Sequence, residues 1–248
     1  MCIRDREKAG IIKKNTPVIS SHQHKEVMKI LSNRAKSINT KIIISQKPEK
    51  ITIDYFSTRF NVNNKSYSIP LLGEHQADNA ALAIQAVRIF KPKLNYNIIS
   101  DGLINTVWPG RFHLLDKKLP IFYDVAHNQA GINSIRNTLK YLNAHKKVGL
   151  IILKEDKDID NIAHSLNGLF NELIVSTIPD SQLMGIKKLF NYLNKNNIKC
   201  KTVNPIEEAF KYMTNQAENG AISIIFGSHY AAKSIYKFFE INFDNVTI

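Results

Sequence analysis

From Ile121 onward, short apolar runs alternate with longer stretches whose apolar residues recur every three or four positions. The runs are IFYDV (121–125), KVGLIIL (147–153), ELIVS (172–176), KCKTV (199–203) and AISIIF (221–226). Their length, β-branched content and flanking turn residues predict strands. The intervening periodicity predicts helices over Gln129–Leu142, Ile159–Phe170, Gly185–Lys195, Ile206–Asn215 and Tyr230–Glu240. Five strands alternating with five helices predict an α/β fold: an open, mostly parallel sheet with helices on both faces. Ligands of such sheets bind outside the carboxyl ends of the strands. Asp124 and Ser228 fall at those ends, after the first and fifth strands.

Before Arg111 the rhythm differs. From Glu7 to Pro70 the pattern is mostly strand, with the runs TPVIS, KIIIS, ITIDYF, TRFNVN and KSYSIP. The last three alternate in period two, and Asn63–Asn64 supplies a turn, which predicts a small antiparallel sheet. Ala80, Ala83, Ile84 and Val87 form an apolar stripe that predicts a helix over Ala77–Phe90, and Leu94–Val107 is a second, weaker helical stretch. The change of rhythm places a domain boundary at Arg111–Leu115, read as a short linker. The opening residues, MCIRDR (1–6), carry neither a cap nor a pattern leading into the next segment. They are expected to be a non-native scar, with protein-like sequence starting at Glu7.

Composition narrows the class. At 248 residues the chain has room for one large domain or two modest ones. It holds no apolar run near the roughly 18 residues of a membrane span and no basic-then-apolar leader. Two cysteines, Cys2 and Cys200, make no disulfide framework. A cytoplasmic protein with no membrane partner is expected. The formal net charge is +13, yet the lysines are scattered among many Asn and Ile, and no nucleic-acid motif accompanies them. Nucleic acid is therefore not expected as a partner, and a polyanionic small substrate accounts for the charge equally well.

Several residues could carry chemistry, each beside a plainer reading. Asp124 ends an apolar strand, where it either caps the next helix or offers an acceptor-only carboxylate to ribose hydroxyls. Arg111 follows Trp108-Pro109-Gly110, so its fork sits on a rigid turn, suited to phosphate oxygens unless it is a solvated surface charge. Asn79 is read as opening the helix in GEHQADNAALAIQAV, as a ligand or as a cap. His127 follows the first strand, and Ser228 sits in IIFGSHY, a strand–Gly–Ser–helix junction that could be only an N-cap. Lys8, in EKAGI, is unremarkable by itself.

Taken together, WPGRFHLL (108–115), FYDVAHN (122–128), HQADNAA (75–81), IIFGSHY (224–230) and EKAGI (7–11) resemble the motifs of the folylpolyglutamate synthase/dihydrofolate synthase family. Its members are ATP-dependent ligases of the Mur ligase superfamily. The separations match as well: thirteen residues from Arg111 to Asp124, and 32 from Asn79 to Arg111. The resemblance runs from about Glu7 to about Phe239 and covers the back half of such an enzyme. It implies that residues 7–111 are the C-terminal part of the central ATP-binding domain, and 112–248 the Rossmann-like, glutamate-binding C-terminal domain. It also implies that Asn79, Arg111 and Asp124 bind ATP, with Asn79 at the adenine end, and that His127 and Ser228 bind glutamate. Lys8 and His127 become the catalytic candidates. The family's EKAGI lysine is carbamylated, which turns a cation into an anion that indirectly supports Mg²⁺; this needs a neutral amine in a shielded site.

The implied reaction adds L-glutamate to a folate or dihydropteroate carboxylate, with ATP and Mg²⁺, in a protein that is usually a monomer. Another Mur-type amino-acid ligase, or a non-catalytic module of the same fold, are the alternatives. LKEDKD (153–158) resembles the family's LKDKD turn with one extra residue, Glu155, and is read as a charged surface turn without a role. Neither G-x-x-x-x-G-K-S/T nor GKGS occurs in the chain. The chain is therefore expected to be a fragment, inactive as a ligase by itself.

Overall fold

A computed structural model of the chain describes residues 7–179 and 182–242. The segment MCIRDR, read above as a scar, lies outside the described residues, as does Cys2. The chain divides into two compact units. The first comprises the described residues through Thr52, with Thr58–Ile69 and Glu74–Asn105; the second comprises Ile53–Ser57, Pro70–Gly73 and the described residues from Thr106 on.

In the first unit, β1 (Val18–Ser20) and β2 (Ile42–Ile44) pair in parallel, with Val18 opposite Ile42. Between them runs a helix, α1 (Lys25–Ser37), in a stretch where the sequence suggested mostly strand. Its signal is present: Val27, Ile30, Leu31 and Ala35 repeat at helical spacing. The β-branched runs on either side masked it. Ala35, Ala9 and Ile12 are buried together against Val18, Ile30, Leu31 and Ile42. Strands β3 (Glu49–Ile53), β4 (Thr58–Val62) and β5 (Lys65–Ile69) form the expected small antiparallel sheet. Its β4–β5 turn uses Asn63 and Asn64, both at positive φ (52° and 58°), which a two-residue hairpin demands and Asn tolerates. Phe60 and Tyr67, paired across these strands, stack at 6.0 Å in the buried face.

Helix α2 (Glu74–Phe90) buries Gln76, Ala77, Ala80, Ala81 and Ile84, and α3 (Tyr96–Ile104) starts at the cap Asn95, which accepts the Ile98 N–H. Because α2 begins at Glu74, Asn79 lies in its second turn, rather than opening the helix as expected. The acidic Glu74, well placed at a helix N-terminus, starts it earlier.

The second unit is built on a six-stranded sheet. Its members are β6 (His113–Leu114), β7 (Ile121–Asp124), β8 (Lys147–Ile151), β9 (Glu172–Val175), β10 (Lys201–Thr202) and β11 (Ile222–Phe226). They lie in the order β10-β9-β8-β11-β7-β6, and β7 through β11 are parallel as expected. β6 is a strand the sequence reading missed: it pairs antiparallel with β7, His113 opposite Tyr123, within the stretch read as a linker. A two-residue strand shows no periodicity; only its partner reveals it. β10 is likewise shorter than KCKTV suggested.

The helices are α4 (Gln129–Leu139), α5 (Ile159–Leu166), α6 (Ile186–Lys195), α7 (Ile206–Glu218) and α8 (Ala232–Phe238), the last preceded by a 3-10 turn at His229–Ala231. β8 and β11 read as unbroken apolar runs because the sheet is covered on both faces. Phe210, Met213 and Ile235 from α7 and α8 pack with Tyr123, Leu150 and Ile225 on one face. Strand alternation turns Phe122, Asp124, Ile151 and Phe226 to the other face.

Gly227, between β11 and Ser228, has φ of +116°, and a Cβ there would lie 2.3 Å from the Ile152 carbonyl oxygen. Gly168 also has positive φ (+64°) but open space around it. Gly168→Ala should therefore cost about 1 kcal/mol, whereas Gly227→Ala must displace a strand backbone and should cost several times more. Chemical denaturation of the two variants checks this. Equal losses would mean that the chain approach at Gly227 is not needed.

Candidate functional site at the carboxyl ends of the strands

Register brings the ends of the central strands level. Asp124 is opposite Phe226, and Phe226 opposite Ile151. The chain leaves β7, β11 and β8 along this edge, so Asp124–Asn128, Gly227–Ser228 and Ile152–Asp158 gather there.

The turn before β6 is locked to this edge. Gly110, at φ +74°, places its carbonyl to accept the Val125 N–H at 2.9 Å; a Cβ at 110 would come 2.8 Å from Val125 Cγ1. Phe112, also at positive φ (43°), donates its N–H to Asp124 Oδ2 at 2.8 Å, and its ring lies 4.8 Å from Phe122. Arg111 is thus held from both sides through its neighbours while its own side chain is exposed. The other oxygen of Asp124, Oδ1, accepts the Ala126 N–H at 2.7 Å.

Asp124 therefore does what the plainer reading foresaw, since it ties down local backbone. Each oxygen nevertheless keeps acceptor capacity beyond one N–H. Burial raises its pKa to about 6; the two backbone N–H groups, Arg111 and His127 oppose that shift without cancelling it.

His127 Nδ1 lies 2.8 Å from the Val125 carbonyl. A carbonyl only accepts, so Nδ1 carries the proton, and in the neutral ring Nε2 is the acceptor. His127 lines a cavity of ≈ 330 Å³ with Asn128, Gln129, Lys157, Asp158 and Asn161. Two helices begin at this cavity. Asn128 caps α4 by accepting the Gly131 N–H (2.9 Å), and Asp158 caps α5 by accepting the Asn161 N–H (3.2 Å). Lys157 pairs with Asp156 at 3.3 Å, and Lys154 pairs with the same carboxylate at 3.1 Å.

The LKEDKD segment, given no role from sequence, thus supplies Lys157 and Asp158 to the cavity that His127 lines. Its position after the second parallel strand was the available signal, because that is the ligand-binding edge. Ser228 is buried, and its Oγ accepts the Tyr230 N–H at 3.2 Å, while its carbonyl accepts the Tyr123 hydroxyl at 2.7 Å. It is not among the residues lining the His127 cavity, although the sequence reading had set the two together.

In the first unit, Asn79 is exposed and its Nδ2 donates to Gln76 Oε1 at 3.1 Å. Lys8 is exposed on a helical turn whose neighbour Ala9 is buried. Among the described residues, no three His, Cys, Asp or Glu side chains come together as a metal site. None of the described helices is long and apolar enough to cross a membrane.

An open parallel sheet that collects a carboxylate, an arginine, a histidine and two helix starts at its carboxyl edge has the build of a nucleotide- and anion-binding α/β domain. In sequence and in fold, the chain is similar to folylpolyglutamate and dihydrofolate synthases. It is 26% identical over 247 residues to the dihydrofolate synthase/folylpolyglutamate synthase of Bacillus subtilis, matching 93% of this chain and 56% of that protein. The folylpolyglutamate synthase of Mycobacterium tuberculosis, solved with ADP and AMPPCP, superposes with a TM-score of 0.83 at 23% identity, over 96% of this chain and 59% of that one. The Escherichia coli FolC protein, in complex with DHPP and ADP, does so with a TM-score of 0.76 at 20% identity, over 95% and 56%. The chain thus spans a little over half the length of the relatives it matches. A scan against models of known protein families finds no match.

The raised pKa of Asp124 has a testable sign. The folded state holds this proton more tightly than the unfolded chain, so wild-type stability declines as pH rises from about 4 to about 6. Asp124→Asn lacks that loss. Its stability relative to wild type should climb across the window and then level off. Denaturation midpoints at a series of pH values measure this, and a pH-independent difference would refute it.

Proposed function

We propose that this chain carries nucleotide- and glutamate-side residues of an ATP-dependent amide ligase that joins L-glutamate to a folate or dihydropteroate carboxylate. The observation that carries the reading is the mutual lock of the Arg111 turn and the Asp124 carboxylate at the end of β7. It is supported by relatives whose structures were solved with ADP, AMPPCP and DHPP. In this reading residues 7–111 are the C-terminal part of a Mur-type ATP-binding domain, and 112–248 form the glutamate-binding domain. The protein acts as a cytoplasmic monomer.

The chemistry assigns each group a task. ATP phosphorylates the acceptor's carboxylate, the amine of glutamate attacks the acyl phosphate, and inorganic phosphate leaves. Arg111 offers its planar fork to phosphate oxygens as charge shifts during transfer. Asp124 takes hydrogen bonds from ribose hydroxyls, and Asn79 holds the adenine end. His127, beside the α4 N-terminus, and Ser228 serve the amino acid, whose carboxylates suit partly positive helix starts. In the neutral ring, His127 Nε2 can also take a proton from the glutamate ammonium, which frees the amine to attack the acyl phosphate. Lys8 is the residue a carbamate would occupy; no step here runs through it or through magnesium.

The test is ATP-dependent incorporation of labelled glutamate, with dihydropteroate and tetrahydrofolate as acceptors in turn, by the protein that carries this sequence at its full genomic length. Arg111→Ala and Asp124→Ala should lower kcat/KM for ATP by roughly ten- to a hundredfold, the loss of one charge-assisted contact. His127→Ala and Ser228→Ala should act mainly through KM for glutamate. If Asp124→Ala left ATP use untouched, the assignment of Asp124 to the nucleotide would fail.

A further inference from the structure

Two tyrosines stand behind the Arg111 turn. Tyr236 of α8 and Tyr123 of β7 meet edge to face at 5.7 Å, and Tyr123 donates to the Ser228 carbonyl. The Tyr236 hydroxyl oxygen receives the backbone N–H of Gly110. It also lies 3.2 Å from His113 Nδ1, with the two rings 5.6 Å apart. Burial pushes the Tyr236 phenol up to about 12, so it keeps its proton, and burial lowers the pKa of His113, which favours the neutral ring. The Gly110 N–H donates to the Tyr236 oxygen, and the Tyr236 hydroxyl is joined to His113 Nδ1, with the donor there set by the imidazole tautomer.

Both ends of that relay flank Arg111, one residue before it and two residues after. The remaining ties of the same turn, the Gly110 carbonyl to the Val125 N–H and the Phe112 N–H to Asp124, come from β7 and the loop that follows it. Tyr236 supplies the third tie from a different element, the helix that follows the Ser228 junction.

We propose that Tyr236 is a positioning residue for nucleotide binding: its hydroxyl, bonded to Gly110 and His113, fixes the turn that presents Arg111 beside Asp124. This rests on the reading that Arg111 contacts the nucleotide. Nothing in the sequence marks Tyr236. It lies 125 residues beyond Arg111, in a helix whose periodicity accounts for it as a core position.

The test combines amide exchange with a double-mutant cycle. Tyr236→Phe keeps the ring and removes only the hydroxyl. ADP affinity is measured by calorimetry for wild type, Tyr236→Phe, Arg111→Ala and the double variant, with thermal melts to confirm folding. Tyr236→Phe should weaken ADP binding by about three- to tenfold, the worth of one neutral hydrogen bond. It should weaken it no further in the Arg111→Ala background, and it should speed exchange of the Gly110 amide.

Equal weakening in both backgrounds, or an unchanged Gly110 amide, overturns the positioning role alone. So does unaltered affinity in Tyr236→Phe when Arg111→Ala binds weakly. If Arg111→Ala binds ADP like wild type, or wild type binds none, the nucleotide reading fails, and this inference with it. Should Tyr236→Phe not fold, exchange in wild type decides: a Gly110 amide as fast as an open loop's overturns the proposal.

Discussion

The arrangement at the sheet edge hangs on one carboxylate. Asp124 receives the N–H of Phe112 on one oxygen and that of Ala126 on the other. The first bond fastens the turn that bears Arg111; the second shapes the loop that leads to His127 and the start of α4. A side chain without two acceptor oxygens could not serve both. The carboxylate is costly to desolvate, and the rise of its pKa to about 6 measures that cost against the compensation from its partners.

Around this point the fold supplies rigidity from non-local pairing. β11 lies between β7 and β8, so the segments that follow all three strands emerge side by side, although the ends of β7 and β11, Asp124 and Phe226, are far apart in the chain. Gly227 lets the chain turn tightly over Ile152 as it leaves β11 and sets the direction in which Ser228 enters its 3-10 turn. The site is therefore held by strands and helix caps more than by loops, the condition under which side chains keep a fixed geometry.

The strongly basic composition takes on a local meaning. Many lysines are spread over exposed positions, but Lys154, Lys157 and Arg111 belong to the carboxyl edge of the sheet, where two helix starts add partial positive charge. Lys154 and Lys157 both pair with Asp156, so positive charge at that edge falls mainly to Arg111 and the helix starts.

By itself the sequence determined the α/β class, the five parallel strands, the small antiparallel sheet and its Asn63–Asn64 turn, because each rests on periodicity or turn chemistry confined to a few neighbouring residues. The motif resemblance singled out Arg111, Asp124, His127, Ser228, Asn79 and Lys8, but not their surroundings. The tertiary structure decided what adjacency on the chain does not carry. A two-residue strand, β6, exists only through its pairing with β7. α1 hid between β-branched runs, and the place of Asn79 in the second turn of α2 followed from a helix start set by Glu74. Lys157 was joined to His127, and Tyr236 to the Arg111 turn, by register and helix packing. These contacts span tens to more than a hundred residues, so they follow from how strands order themselves in a sheet, a property of the whole core rather than of any local segment.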